Sequence, residues 1–577
     1  KSLKRGATTW TVAQTVVQGF PLPSTITNPG GQTTTLSYKD ENPPRIDSIT
    51  DYGGRKTSFF YDTKRHLQSY KTPDGAQVNL AYDENDNLTR VTMPGGEAHQ
   101  YTYDSQRRLT QWKDPEAGVT TYTYTGGSRV ILDPLSRRIT VTSAGQFVTG
   151  VQRGGVTWNY NWTGNKLLSV VDPLTNTVSF SYHTAANGVS LLKSASDGGG
   201  SIQYSYDSND LITGVTSRTG ASTTLEWNAN RQRIAAMNAE GKRVSYTYDG
   251  NGLVNGIENL DSQAYSNVFD AHGNRTVSIS PLSPRRTTFT YNGMNQVSSK
   301  KSPLGNTTNY SYDAMNRLQT ETNPLGYSTT YRYDANGKQI AVSNGLGETT
   351  TSVYDGNQRL IATIDPMGAQ TTYEYSASGQ QIRVVDPIGR VTTTVYDDRD
   401  NPICTISPLG LRTTRVYDAA GRAYVTIDPL GARTTLSLDS KGRTISSTDP
   451  LGRTTSYVYS SEGLLAETSR PDGTSVASNY DSLSRLVATI DPLGHVTSYL
   501  YDDAGRRTVQ IDPLGGRSTT IYNAEGEAIV QIDPLGRRTT TVYDAVGRTV
   551  GAIDALGYRS TVVYDVASQA IAAINPV

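Results

Sequence analysis

The feature that most constrains this chain is a step of 21 residues, repeated without insertion from Tyr291 to Tyr564. Tyr291-Asn292, Tyr312-Asp313, Tyr333-Asp334, Tyr354-Asp355, Tyr375-Ser376, Tyr396-Asp397 and Tyr417-Asp418 lie at that interval. After Leu438-Asp439 the series resumes at Tyr459 and Tyr480 and runs on through Tyr501-Asp502, Tyr522 and Tyr543-Asp544. Upstream, the same step joins Tyr61, Tyr82, Tyr103 and Tyr124, and later Tyr206, Trp227, Tyr248 and Phe269. Periodicity of this length specifies an array of small units, each packing chiefly on its neighbours.

A second signal keeps fixed phase with the first. Asp-Pro-x-Gly recurs as Asp428-Pro429-Leu430-Gly431 and from Asp365, Asp386, Asp449, Asp491, Asp512 and Asp533. Pro presets φ at the second turn position and Gly accepts the positive φ that closes the turn. Asp418-Ala419-Ala420-Gly421-Arg422 and Asp544-Ala545-Val546-Gly547-Arg548 have the same form without Pro. Between the turns, Arg538–Tyr543 and Arg548–Ile553 each have the length of a strand. Each unit therefore reads as one hairpin, with successive hairpins paired edge to edge. Helix loses, because Gly or Pro interrupts the chain about every ten residues, below a typical helix length. The expected class is all-β, tandem hairpins in one long antiparallel sheet. About 28 strands from residue 291 onward would span on the order of 130 Å, too wide for a twisted sheet to stay flat.

Phase divides the chain into a lead-in over 1–50, repeats over 51–128, a divergent stretch over 129–205, repeats over 206–290 and the regular array over 291–577. The divergent stretch reads as hairpins with longer loops. A one-residue slip between Phe269 and Tyr291 reads as a longer turn at Ser280–Pro284.

Composition narrows the function. Only 35% of residues are hydrophobic, even with 37 Tyr counted, which suits a thin sheet with wet surfaces. Lys+Arg and Asp+Glu are both 53, leaving no net field for nucleic acid. No run of about 18 apolar residues would span a bilayer as a helix. The chain starts in mid-pattern and stops after a repeat like the others, so it reads as part of a larger polypeptide.

No constellation for chemistry stands out. His66, His99, His183, His272 and His495 fall at scattered repeat positions and read as solvated or turn residues. Cys404 reads as a small strand hydrophobe. Equivalent Asp residues would lie two strands apart, roughly 9–10 Å, too far to share a calcium ion, so they read as caps of turn amides. Arg422 and Arg548 stand four residues past their Asp, as exposed pairs worth about 0–1 kcal/mol. Thr392-Thr393-Thr394 and Thr539-Thr540-Thr541 read as β-formers on a solvated face, with glycan binding the less favoured use.

Tyr-Asp-Ala-x-Gly-Arg at Tyr417–Arg422 and Tyr543–Arg548, followed by Asp-Pro-Leu-Gly and Thr-Thr, resembles the Rhs/YD-repeat family over nearly the whole chain. That resemblance implies a sheet wound in a spiral into a hollow shell, as in bacterial Rhs toxins, insecticidal toxin complexes and teneurins. It also implies a secreted or cell-surface setting and a structural, non-catalytic role without cofactor. The partner would be the rest of the same polypeptide, either further repeats or an enclosed C-terminal cargo. The closing region and cleavage site of the toxins are not seen before Val577, so self-cleavage is not carried over. A filament or adhesin assembled from copies of the chain, without cargo, is the alternative reading.

Overall fold

The computed structural model describes residues 2–5, 8–28, 31–185, 187–218, 220–282 and 285–575. They form one 55-stranded sheet in which each strand pairs antiparallel with the strand before it and the strand after it. None of these residues is helical, so no helix is long and apolar enough to cross a membrane.

Each unit contributes a strand of six residues and one of five, as in Arg538–Tyr543 and Thr549–Ile553. The two kinds of hairpin differ in register. At the Asp-Pro turn the ladder is regular, with Val530, Gln531 and Ile532 facing Thr540, Thr539 and Arg538. At the Tyr-Asp turn the register shifts by one residue between Val542 and Tyr543. The same shift stands beside Tyr312, Tyr396, Tyr417 and Tyr501. A bulge of this kind bends the strand and sharpens its twist, and here it falls on one rim of the ribbon only.

The sheet is a single layer with little interior. Its buried apolar residues are small and recur at the middle of the five-residue strand, among them Ala341, Ala362, Val425 and Val530. Cys404 belongs to this row, facing Val395 and Thr414 across the sheet.

Where the sequence loses phase, four loops shrink to two residues while those after Leu132 and Val171 keep the usual five, contrary to the expectation of longer ones. Strands Phe147–Arg153 and Val156–Thr163 are joined by Gly154-Gly155 alone. Both glycines have positive φ, 55° and 80°, as a two-residue hairpin turn matched to strand twist requires. The strands lengthen to seven or eight residues, and the Tyr spacing drifts in consequence. At the later slip, the Ser280 amide reaches the carbonyl of Arg285, one residue beyond the usual closure. Ser283 and Pro284 of that expected longer turn lie outside the described residues.

The ribbon returns on itself. Contacts far apart in sequence fall in a narrow band, from 239 residues (Glu97 with Asn336) to 263 residues (Gln32 with Asn295). Each joins an Asp-Pro-type turn of the first winding to a Tyr-Asp-type turn of the second, about 24 strands further on. A ribbon that meets itself at a constant interval is a coil around a space. At about 4.8 Å per strand, one winding is roughly 115 Å around and roughly 37 Å in mean diameter.

The turns set the strand register, so damage to one should be local. Gly547 has φ 84° and Gly421 has φ 80°, while Asn316 holds the equivalent place at φ 64°. Gly547→Val should cost about 1–3 kcal/mol, because a β-branched residue is strained at positive φ, whereas Gly547→Asn tolerates that φ and should cost less, only the shift of the Glu527 carboxylate that would stand 2.9 Å from the added Cβ. Hydrogen exchange should show amides 538–553 deprotected in the Val variant alone; equal protection in both would contradict the assigned turn.

Candidate functional site: the Tyr-Asp rim and the seam between windings

The Tyr-Asp motif builds a clamp between successive units. In the turn at Asp418, one carboxylate oxygen accepts the amides of Ala420 and Arg422, both at 2.9 Å. The other accepts Arg422 Nε at 2.7 Å, and a terminal nitrogen of Arg422 reaches the carbonyl of Asp439 in the next unit at 3.1 Å. The Gly421 amide closes the turn on the Asp418 carbonyl at 3.1 Å. Asp313 and Asp544 make the same set, as cap and as ion-pair partner. Asp502 takes the Arg506 amide and guanidinium, and Asp397 takes Asn401 in place of Arg.

The guanidinium then lies over the Tyr ring of the following unit. Arg548 is 4.5 Å from the centroid of Tyr564, Arg317 4.6 Å from Tyr333 and Arg485 5.0 Å from Tyr501. The next unit after Arg422 has Leu438 where the ring would be. The Tyr hydroxyls donate backwards, across 15 residues in the regular units: Tyr312 to the carbonyl of Val297, Tyr396 to Gln381, Tyr417 to Pro402, Tyr501 to Leu486 and Tyr543 to Ala528, at 2.7 to 3.2 Å. Every ring is thus tied to the unit before it.

The Arg–Asp pairs are therefore less exposed than the sequence led one to expect. Side-chain exposure is 25% and 18% for Arg422 and Asp418, and 19% and 13% for Arg548 and Asp544. The expectation of exposure holds at Arg108, 43% exposed in a Tyr-Asp turn of the first winding, and on the other rim, where Arg453 is 62% exposed. There Asp428 caps Leu430 and Ala432 at 2.8 Å and Gly431 has φ 83°, with Pro429 setting the turn between them. Partial burial pushes the Asp418 carboxyl up, but the Arg422 amide, its guanidinium and the Ala420 amide outweigh this and hold it below the usual range. The histidines are also more ordered in placement than the sequence suggested. His66 takes the place of the Arg, 3.0 Å from Asp62 and stacked 4.6 Å from Tyr82, and His495 pairs with Asp491 on the opposite rim. Among the described residues no group of three or more His, Cys, Asp and Glu side chains is placed to hold a metal.

The seam between windings is polar. Arg285 makes a two-point contact with Glu527, at 2.9 and 3.0 Å, and also reaches the Asp544 carbonyl. Glu240 takes Arg485 at 2.7 Å, Asp261 takes Arg506 at 2.8 Å, and Lys242 pairs with Asp503. Arg137 and Arg153 converge on Asp400. Glu116 accepts the Gly356 amide, and the amide of Gly95 meets Asn336. A side chain at Gly53 would collide with Met294 across the seam. Apart from Asp544, none of these residues stood out in the sequence. The available signal was the third residue of the Asp-Pro-type turns, which in the first winding includes Gly53, Asp74, Gly95, Glu116, Glu240 and Asp261 beside Leu135, Leu174 and Leu282, and in the second is mostly Leu.

Partial burial pushes Glu527 up, but hydrogen bonds from Arg285 and Asn523 and the charge of Arg285 outweigh it, so its carboxyl lies below the ordinary value. The pair is at full strength above the unfolded Glu value of about 4.3 and is lost as pH falls through the folded value. Charged hydrogen bonds of this kind are worth about 2 kcal/mol. Glu527→Gln at neutral pH should reproduce the acid effect, with faster exchange of amides 285–288 and 523–527 and none at 371–375. A seam indifferent to both acid and the substitution would contradict this assignment.

Comparison with known proteins agrees with this geometry. The Teneurin YD-shell family model matches residues 25–139 and 266–432, and the RHS Repeat model matches 439–475 and 480–517. No curated protein sequence matches the chain. Among solved structures, a mutated Photorhabdus luminescens Tc holotoxin pore aligns over 94% of this chain with a TM-score of 0.58 and 12% identity. A TcdB2–TccC3 crystal structure aligns over 92% with a TM-score of 0.55 and 14% identity. The chain spans 35% of the length of each of those chains. The repeats, their register and these matches agree, and the chain belongs to the Rhs/YD-repeat family.

Proposed function

We propose that this chain is a length of wall in a hollow shell, part of a larger secreted or cell-surface protein, and that the enclosed space holds polypeptide cargo such as a toxin. The role is mechanical, without catalysis or cofactor. The observation that carries this reading is the seam: a polar rim-to-rim contact kept over a full winding, which turns a ribbon into a closed wall. Backbone pairing inside each winding is already complete, so the seam adds no strand pairing and serves to shut the gap between coils. The likeness to Tc toxin chains supports a cargo-bearing setting, and the family resemblance supports an extracellular one.

Electron micrographs of the purified chain should show discrete hollow coils roughly 37 Å in mean diameter. Flat ribbons or solid rods would sink the wall, and continuous filaments would favour the fibre reading. Limited proteolysis of the native polypeptide that carries this array tests the cargo. Segments outside the repeats should resist protease until acid or Arg285→Ala weakens the seam; immediate digestion would rule out enclosure.

A further inference from the structure

Direct bonds close much of the seam, but beside Trp112 it stands open. A cavity of about 580 Å³ lies there, between the sheet of the first winding and the Tyr-Asp-type turns of the second at 355–359 and 376–380. Sites for small molecules commonly measure about 300–1,000 Å³. The floor of this one is aromatic. His99 and Tyr101, two residues apart, point to one face of the sheet, and Tyr101 faces Trp112 across the ladder, so His99 and Trp112 share that face. Their rings lie 24° from parallel with centroids 6.0 Å apart, and Trp112 Nε1 donates to His99 Nδ1 at 3.3 Å. A bond made along the ring edges sets the two rings side by side, as one flat platform. Acceptance at Nδ1 puts the imidazole hydrogen on Nε2, a donor with no partner among the described residues.

The walls carry polar groups that the rest of the protein does not use. Gly118 stands four residues past Asp114, where Arg108 and Arg137 stand past Asp104 and Asp133 and bind them. Asp114 Oδ1 caps the amides of Glu116 and Gly118, and Oδ2 is left without a donor. A Cβ at Gly118 would come within 2.6 Å of that oxygen. On the opposite wall, the side-chain amides of Asn357 and Gln358 make no hydrogen bond to the described residues. Charge, by contrast, is already balanced. Arg137, Arg153 and Arg359 line the cavity and are paired with Asp133, Asp400 and Asp355. An anion therefore finds no spare guanidinium, and a cation finds Asp114 alone amid N–H donors. Mixed donors and acceptors around an apolar platform suit a ring of hydroxyls, each of which both gives and takes a bond.

We infer that this cavity binds one pyranose unit of a neutral saccharide. The C–H face of the sugar lies on the Trp112 and His99 platform, which supplies area without a charge to desolvate. Asp114 Oδ2 accepts from its hydroxyls, a strong bond because the acceptor is ionised. His99 Nε2 and the amides of Asn357 and Gln358 take the remaining positions. Floor and amide wall belong to different windings, so the bound sugar bridges the seam. The assignment is independent of any cargo.

Isothermal titration of the full chain tests this, with galactose, glucose, mannose and N-acetylglucosamine, free and as disaccharides, and with the anionic N-acetylneuraminic acid. At least one neutral sugar should bind at a single site per chain with Kd on the order of 1 mM or tighter, and should slow hydrogen exchange of amides 355–359. N-acetylneuraminic acid should bind about tenfold more weakly. Trp112→Ala should lower affinity about tenfold, and Trp112→Phe by less. Asn357→Ala, whose side chain ties nothing in the free protein, should weaken binding about threefold while exchange at the seam stays unchanged, which separates a lost contact from a lost fold. No heat from any neutral sugar at about 50 mM, equal binding by the Trp112→Ala and Asn357→Ala variants, or tighter binding of N-acetylneuraminic acid would each overturn the proposal.

Discussion

Everything in this molecule depends on the two edges of one ribbon being tied differently. At the Tyr-Asp edge a guanidinium is anchored to its own turn and stacked on the ring of the next unit, and that ring is bonded back to the unit it left. At the Asp-Pro edge the turn is capped, and the repeated Arg–Tyr clamp gives way to an isolated link such as Arg218 with Asp197. The register shift beside each Tyr adds a bend on the same side. A wide sheet must twist in any case. Tying one edge unit to unit while leaving the other largely free selects a single curl repeated identically, and identical curl over many units is a coil of fixed radius.

Fixed radius is what makes the seam possible. A polar contact such as Arg285 with Glu527 forms only if strands some 240 residues apart return to the same place. Small errors per unit would accumulate over a winding. The likeness of the units after residue 291, with the 21-residue step of the turns unbroken, keeps that error small. The seam residues are individually modest, and a line of partly buried charged pairs holds register more than it adds stability.

The local half of this architecture was legible in the sequence. Gly421 and Gly547 announce a positive φ, Asp418 and Asp544 announce a capped turn, and the 21-residue step announces hairpins laid side by side. What lay beyond reach were contacts with no signature at short range. Nothing near Glu240 points to Arg485. Arg422 reads as an exposed partner of Asp418 until the next unit and the neighbouring winding are placed over it. Within 129–205 the loop lengths were not legible, because Gly154-Gly155 can sit in a long loop or a minimal one. Only strand pairing, with Arg153 facing Val156, decides between them.

The seam also restricts how such a gene can change. Units this alike invite unequal recombination, and losing one would leave every hairpin and every clamp intact. The coil would lose two strands, and each contact across the later loss point would slide by one place. Glu240 would then face the neighbour of Arg485, and Gly53, which has room only for the side chain of Met294, would face another tip. Copy number is therefore a heritable quantity that the windings check against each other, through a few turn residues and not through the repeat motif itself.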